Sequence, residues 1–203
     1  MREAIKRLEG DLVGETVDRS GLVTAQTPPD LPEIHRIVRE IGAERWSLFF
    51  LIATGRGTNL RPLTPSQSDD VLNWALDHAQ DRRPIVTTTE APHYRRLALT
   101  KFKHRDTAGG SPMRGMGIRD GNGVMFISHT GEVQPSGFLP LTAGYARTEN
   151  PLYIYRHSPL FQSLRRPDGF LGRCGCCEFR EVCGGSRARA YAATGDPLAS
   201  DPL

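Results

Sequence analysis

Gly172-Arg173-Cys174-Gly175-Cys176-Cys177-Glu178-Phe179-Arg180-Glu181-Val182-Cys183-Gly184-Gly185 carries all four cysteines of a 203-residue chain. Cys174 and Cys177 form a C-x2-C pair, and Cys183 follows after five more residues. A C-x2-C turn sets two thiolates on one side of a tight loop, close enough to share one metal ion or one cluster edge. Glycines at 172, 175, 184 and 185 let the backbone bend around such a centre. Residues 184–193 read as a helix stopped by Gly195. Its positive end beside Cys183 would favour thiolate and anionic sulfide. Cys176 is adjacent to Cys177 and should point away, so Cys174, Cys177 and Cys183 leave a four-ligand site one ligand short. Reduced structural thiols, a disulfide and a metal site compete for this cluster. Free thiols rarely crowd into a glycine-rich loop, and the absence of a secretory signal sets a reducing, cytoplasmic compartment as the expectation. The spacing favours metal, with zinc and iron–sulfur both open because each accepts four thiolates.

Upstream, the pattern is α/β. Residues 1–20 are polar, with Ile5, Leu8 and Leu12 at helical spacing, and read as a surface helix. Residues 30–42 read as a helix with Asp30 as cap candidate and a terminating glycine. Residues 46–52 form an apolar run, the signature of a strand buried on both faces of a parallel sheet. The loop after it holds Gly55, Arg56 and Gly57. Thr64-Pro65 opens a second helix, Ile85–Thr89 reads as a second strand, and a basic helix runs to about residue 104. Alternating elements at this spacing predict parallel strands with right-handed crossovers. Chemistry in such folds collects at the C-terminal strand ends, where Gly55, Arg56, Gly57, Glu90, His93, Tyr94 and Arg95 lie. Glu90 and His93 are the candidate catalytic pair and Gly55, Arg56 and Gly57 the candidate cofactor loop, although each position also fits a solvated turn. A G-x-G pair lacking its third glycine is weak evidence for phosphate binding.

Residues 106–123 are glycine-rich and read as a linker or loop. After them, residues 123–129 and 132–135 flank Thr130-Gly131, a β-hairpin signal, and Ser158-Pro159 opens a short helix. His129 reads as a structural strand-end histidine. The net charge of +3 is small and the basic residues are scattered, so nothing points to nucleic acid. No apolar run approaches the ~18 residues needed to cross a membrane. With 38% hydrophobic and 24% charged residues, the chain can bury a substantial core.

The segment Cys174-x2-Cys177-x5-Cys183-Gly-Gly-Ser-Arg-Ala-Arg-Ala-Tyr-Ala-Ala-Thr-Gly-Asp-Pro, with Asp201-Pro202 beyond it, resembles the auxiliary-cluster region of radical SAM enzymes, the SPASM/twitch extension. The similarity is to the haem-biosynthesis-like and peptide-modifying branches. It implies a [4Fe-4S] cluster held by Cys174, Cys177 and Cys183, with zinc as the alternative, and a peptide or tetrapyrrole-type substrate. In that pattern a last cysteine follows the Asp-Pro element, and many relatives carry another where Ser136 stands here. Residues 46–57 and 87–96 look like late strands and loops of the radical SAM partial barrel, whose strand ends face S-adenosylmethionine. The C-x3-C-x2-C loop of the catalytic cluster is not among these 203 residues, since no cysteine precedes Cys174. Two strand–helix units also fall short of a barrel. The resemblance thus implies the C-terminal part of such an enzyme. It gives an open parallel α/β barrel remnant over 1–105, a linker over 106–123 and a small cysteine-rich α+β SPASM/twitch domain over 124–203. It also implies a partner chain or N-terminal half bearing the missing motif.

Overall fold

Two three-stranded sheets frame the chain, one parallel and one antiparallel. The computed structural model describes residues 18–79, 81, 83–101 and 117–203. The helix expected around Ile5, Leu8 and Leu12 and most of the expected linker lie outside them.

The parallel sheet has the order β1 (Asp18–Val23), β2 (Arg45–Phe50), β3 (Ile85–Thr89). Its crossovers are α1 (Leu31–Glu40) and α2 (Pro65–Asp77), and α3 (His93–Lys101) follows β3. β1 was not legible from the sequence: it is largely polar, and its outer residues remain exposed. Gly21 in β1 matters because a Cβ there would stand 3.2 Å from the indole nitrogen of Trp46. Asp30 makes no side-chain cap bond to α1, contrary to expectation. At α2 the cap is complete. Thr64 Oγ1 accepts from the Gln67 amide, and the Gln67 side chain accepts from the Thr64 amide, at 3.2 and 3.0 Å.

β2 buries one face rather than two. Trp46, Leu48 and Phe50 are at most 1% exposed, packed against Leu72, Leu76 and Val38 from the helices. The alternate residues Ser47 and Phe49 are half-buried on the opposite face, where Ser47 Oγ lies 2.8 Å from Thr89 Oγ1 and Phe49 meets Phe138 edge-on at 5.1 Å. The period of two along a strand is what separates these sets.

The second sheet is a meander of β4 (Phe126–Ile127), β5 (Glu132–Gln134) and β6 (Gly144–Tyr145). Its first turn is the expected Thr130-Gly131 hairpin, and β6 adds a third strand. Short helices follow: α4 (Pro151–His157), α5 (Pro159–Leu164), the single turn α6 (Gly172–Gly175) and α7 (Arg187–Thr194). Ser158 precedes α5 without a side-chain cap bond. Residues 117–123, expected as linker, form a tight turn packed on the cysteine loop: the Gly117 amide donates to Val182 O at 3.2 Å. Ile52, Leu139, Leu164 and Ala188 share one apolar cluster, which joins the end of β2 to the second half of the chain.

Candidate functional site

The three spaced cysteines have a common environment that Cys176 lacks. The sulfur of each accepts a backbone N–H: Cys177 from Phe179 at 3.4 Å, Cys183 from Gly185 at 3.5 Å and Cys174 from Asp201 at 3.4 Å. Nη2 of Arg187 also donates to the Cys174 sulfur at 3.5 Å. Such donors stabilise negative charge on sulfur and tune thiolate-bound clusters. Cys176 is exposed, and its thiol turns instead to the carbonyls of Gly172 and Arg173.

The helix beside this loop is not where the sequence places it. α7 begins at Arg187 with Ser186 as N-cap, three residues past Cys183. Its N-terminal donors are taken by other groups: Ala188 N–H by Asp120 Oδ2 at 2.8 Å and Arg189 N–H by Ser186 Oγ at 3.2 Å. The helix end therefore does not solvate Cys183 directly. Burial pushes that thiol up, and the Gly185 N–H only partly offsets it.

Arg187 and Arg189 stand in the first turn of α7, where the helix dipole disfavours cations; both are held by buried partners. Arg187 is fully buried, donates to Pro197 O and Ala199 O at 3.1 and 2.8 Å, and lies over the Phe170 ring at 4.4 Å. Arg189 pairs with Asp201 at 2.9 Å, with both side chains at most 5% exposed. Asp201 also accepts the Ser186 N–H at 2.7 Å. The Asp201-Pro202 element therefore reaches the cysteine loop through its backbone and α7 through its carboxylate.

Glu90 links this assembly to the parallel sheet. It follows β3 directly and holds φ +57°, a left-handed conformation rare outside glycine. Arg189 Nη2 donates to its carbonyl oxygen, and Ser186 Oγ donates to its carboxylate at 2.8 Å. Burial first, and then nearby Asp120, push its pKa up to about 7. Strained backbone retained by surrounding bonds, together with a carboxyl shifted toward neutral pH, makes Glu90 a candidate functional position.

A cavity of about 210 Å³ opens against Glu90, lined also by Arg95, Arg119, Asp120, Ser136 and Ser186. In two of these residues an atom, Arg119 Nε and Asp120 Oδ1, is buried without a hydrogen-bond partner among the described residues. Burial lowers the pKa of both arginines while leaving them cationic. The cavity thus offers two cations, one anion and a carboxyl able to exchange a proton near neutrality.

The remaining sequence candidates lie elsewhere. His93 shares the strand end with Glu90 but opens α3 and turns into the core. There its Nε2 is 2.8 Å from Ser68 Oγ and its ring meets Phe50 edge-on. Burial pulls its pKa down to about 4, so it is neutral. Gly55, Arg56 and Gly57 lie in a single 3-10 turn, with Arg56 exposed and none of the three lining this cavity. Gly57 is required there because a Cβ would fall 2.8 Å from Ile52 O. Sequence reading missed Arg119, Asp120, Ser186 and Arg187, although two arginines at a helix start are a signal that they are tied down.

No family model matches the chain. It is 36% identical over 188 residues to the AdoMet-dependent heme synthase of Nitratidesulfovibrio vulgaris, covering 89% of this chain and 51% of that protein. It is 34% identical over 186 residues to that of Methanosarcina barkeri, covering 89% and 53%. The pre-heme d1 synthase of Dinoroseobacter shibae is 29% identical over 205 residues, covering 89% and 49%. The fold resembles the crystal structure of Streptococcus suis SuiB, with a TM-score of 0.63 at 15% identity over 97% of this chain and 47% of that one. A further structure shows SuiB bound to the precursor peptide SuiA, at TM-score 0.62. No helix among the described residues is long and apolar enough to cross a membrane. The chain spans about half the length of the relatives it matches, and over that half it is similar to the AdoMet-dependent heme synthases.

Proposed function

We propose that this chain is the C-terminal, auxiliary-cluster part of a radical SAM enzyme acting on a tetrapyrrole-type substrate. The observation that carries the reading is the shared environment of Cys174, Cys177 and Cys183. Each of these sulfurs accepts a backbone N–H, while Cys176 faces its own loop. In this reading the parallel sheet is the late part of a partial barrel and residues 124–203 are the SPASM/twitch-type region. The open face carrying Ser47 and Phe49 is then the barrel interior. The donor set fits a [4Fe-4S] cluster, since three thiolates with amide donors satisfy three of its four irons. The fourth ligand comes from outside the four cysteines of this chain. Bound there, such a cluster supplies one-electron chemistry or an anchoring iron.

Zinc is the alternative, and the spread of donors speaks against it. Among the described residues, the His/Cys/Asp/Glu trio whose ligating atoms all lie within 4.8 Å of one another is His35, His78 and Asp81, not the cysteines. Tetrahedral zinc at about 2.3 Å from each sulfur needs thiolates closer together than that.

Around the cavity, Arg95 and Arg119 suit a carboxylate arm of the substrate, and Glu90 suits proton transfer to or from it. A volume of about 210 Å³ admits such an arm rather than a whole macrocycle. The heme synthase relatives favour a tetrapyrrole over a peptide, because SuiB shares only the fold. S-adenosylmethionine would bind in the complete enzyme, whose C-x3-C-x2-C loop belongs to a further segment or partner chain. The test is iron, sulfide and zinc content after anaerobic reconstitution, with Cys174→Ala, Cys177→Ala, Cys183→Ala and Cys176→Ala alongside. About four iron and four sulfide per chain, lost in the first three variants and kept in the fourth, is the expected result. One zinc per chain that is lost in the Cys174, Cys177 and Cys183 variants, with no visible charge-transfer band, would overturn it.

A further inference from the structure

His35, His78 and Asp81 meet at the end of the parallel sheet away from Glu90. Asp81 precedes β3 and Glu90 follows it, so the length of that strand separates the two places. His35 projects from α1 and is 5% exposed. Its ring stacks on Trp46 at 5.9 Å and meets Trp74 and His78 edge-on at 5.6 and 4.8 Å. Within this aromatic box, Nε2 of His35 is buried with no hydrogen-bond partner among the described residues. The carboxylate of Asp81 stands 3.8 Å from it, too far for a hydrogen bond. Native folds rarely leave a buried nitrogen in that state, so it calls for a partner.

His78 supplies a second, independent sign. Its Nδ1 lies 2.8 Å from Trp74 O, and a carbonyl can only accept, so Nδ1 carries a proton and Nε2 is the nitrogen with which the neutral ring would ligate. That is how imidazoles which ligate metals are held: one nitrogen donates to a backbone carbonyl and the other is left free. One ligating atom from each of the three side chains lies within 4.8 Å of the other two.

We propose that His35, His78 and Asp81 bind one divalent transition-metal ion, zinc by the chemistry of two imidazoles and a carboxylate. Metal–ligand distances of about 2.0–2.2 Å require the three donors to close by roughly 1.5 Å or less. Rotation of the half-buried His78 and Asp81 supplies this while Trp46 and Trp74 hold His35 in place. The ion ties the end of α2 and the loop entering β3 to α1, on the face of the sheet where parallel α/β folds keep stability rather than chemistry. Its role is structural, and it does not depend on the cysteine cluster.

The test titrates zinc into the cluster-loaded chain, with metal content and thermal unfolding as readouts, for wild type, His78→Gln and Asp81→Asn. If the cysteines take no cluster, the same titration is run on thiol-alkylated chain, which keeps the two questions apart. We expect one zinc per chain and a rise in Tm. Both variants should bind at least tenfold more weakly, since even outer-shell losses cost about 10–100-fold, with iron and sulfide unchanged. Asp81→Asn changes one half-exposed loop residue, and an unaltered far-UV spectrum shows that it folds. Equal zinc uptake in both variants would overturn the assignment, and so would no uptake by the wild type.

Discussion

Replacing Gly185 by alanine probes the geometry that joins the cysteine loop to α7. Gly185 sits at φ +64°, and a Cβ there would lie 2.6 Å from Arg187 Nη2, 2.7 Å from Asp201 Cβ and 3.1 Å from Cys174 Sγ. None of these neighbours moves freely. Arg187 is pinned by two carbonyls, Asp201 by Arg189 and the Ser186 amide, and Cys174 by the Asp201 amide. Gly195 is the control. It has φ +79° at the end of α7, and a Cβ there meets nothing within 4 Å. The left-handed backbone costs either alanine about 1–2 kcal/mol, and overpacking adds about 1–3 kcal/mol at Gly185 alone. For a chain of this size, ~1–3 kcal/mol separates the two unfolding temperatures by roughly 2–12 °C. Calorimetry on both variants, with iron and sulfide assays, should show Gly185→Ala the less stable and depleted in cluster, while Gly195→Ala keeps its iron. Equal melting temperatures with equal iron content would refute the reasoning.

Asp201→Asn leaves Arg189 buried without its counter-ion, and breaking such a pair costs about 3–5 kcal/mol; denaturant unfolding should show a loss of that order. Thr64→Ala removes one half of the α2 capping box and should cost about 1 kcal/mol with no change in metal content. The Glu90 native pKa of about 7 exceeds the ordinary 4.5, so the native state holds more protons than the unfolded one between those values, and its contribution falls as pH rises through that window. His93, drawn down from 6.5 to about 4, binds fewer protons when native, so its contribution is present above 6.5 and is lost as pH falls toward 4. The two oppose each other between 4.5 and 6.5. Glu90→Gln should therefore turn a shallow stability profile into one that rises with pH across that range, and an unchanged slope in urea titrations at stepped pH would contradict the buried placement of Glu90.

What the sequence disclosed and what it hid divide along physical lines. Local signals read well. The run at 46–52 gave a strand, Thr64-Pro65 gave a helix start, and Thr130-Gly131 gave a hairpin, because each depends on residues close in the chain. β1 escaped because an edge strand with one buried face needs few apolar residues, and Gly21 looks like a breaker until Trp46 is seen packed on it. The second buried face expected for β2 failed for a related reason, since an apolar run does not say what covers each side.

The coupling of α7 to the cysteine loop and to the end of β3 was out of reach for a different reason: it rests on contacts between residues far apart in the chain. Ser186 to Glu90 crosses 96 positions, Ala188 to Asp120 crosses 68, and Asp201 to Cys174 crosses 27. No local pattern encodes them. The arginines gave the one available hint, because cations in a first helical turn oppose the dipole unless something anionic answers them. Asp201 is that answer for Arg189, and the carbonyls of Pro197 and Ala199 hold Arg187. Through Ser186, α7 also touches the only described non-glycine residue with positive φ, Glu90. A shift at the cysteine loop therefore has a short covalent route, from Cys183 through Gly184 and Gly185 to Ser186, by which to reach the carboxyl at the end of β3. Exchanging Ser186 for alanine cuts the hydrogen bond but keeps that backbone route. A Glu90 carboxyl that still titrates near 7 in the Ser186→Ala chain would show that burial beside Asp120, rather than the α7 contact, sets its proton affinity.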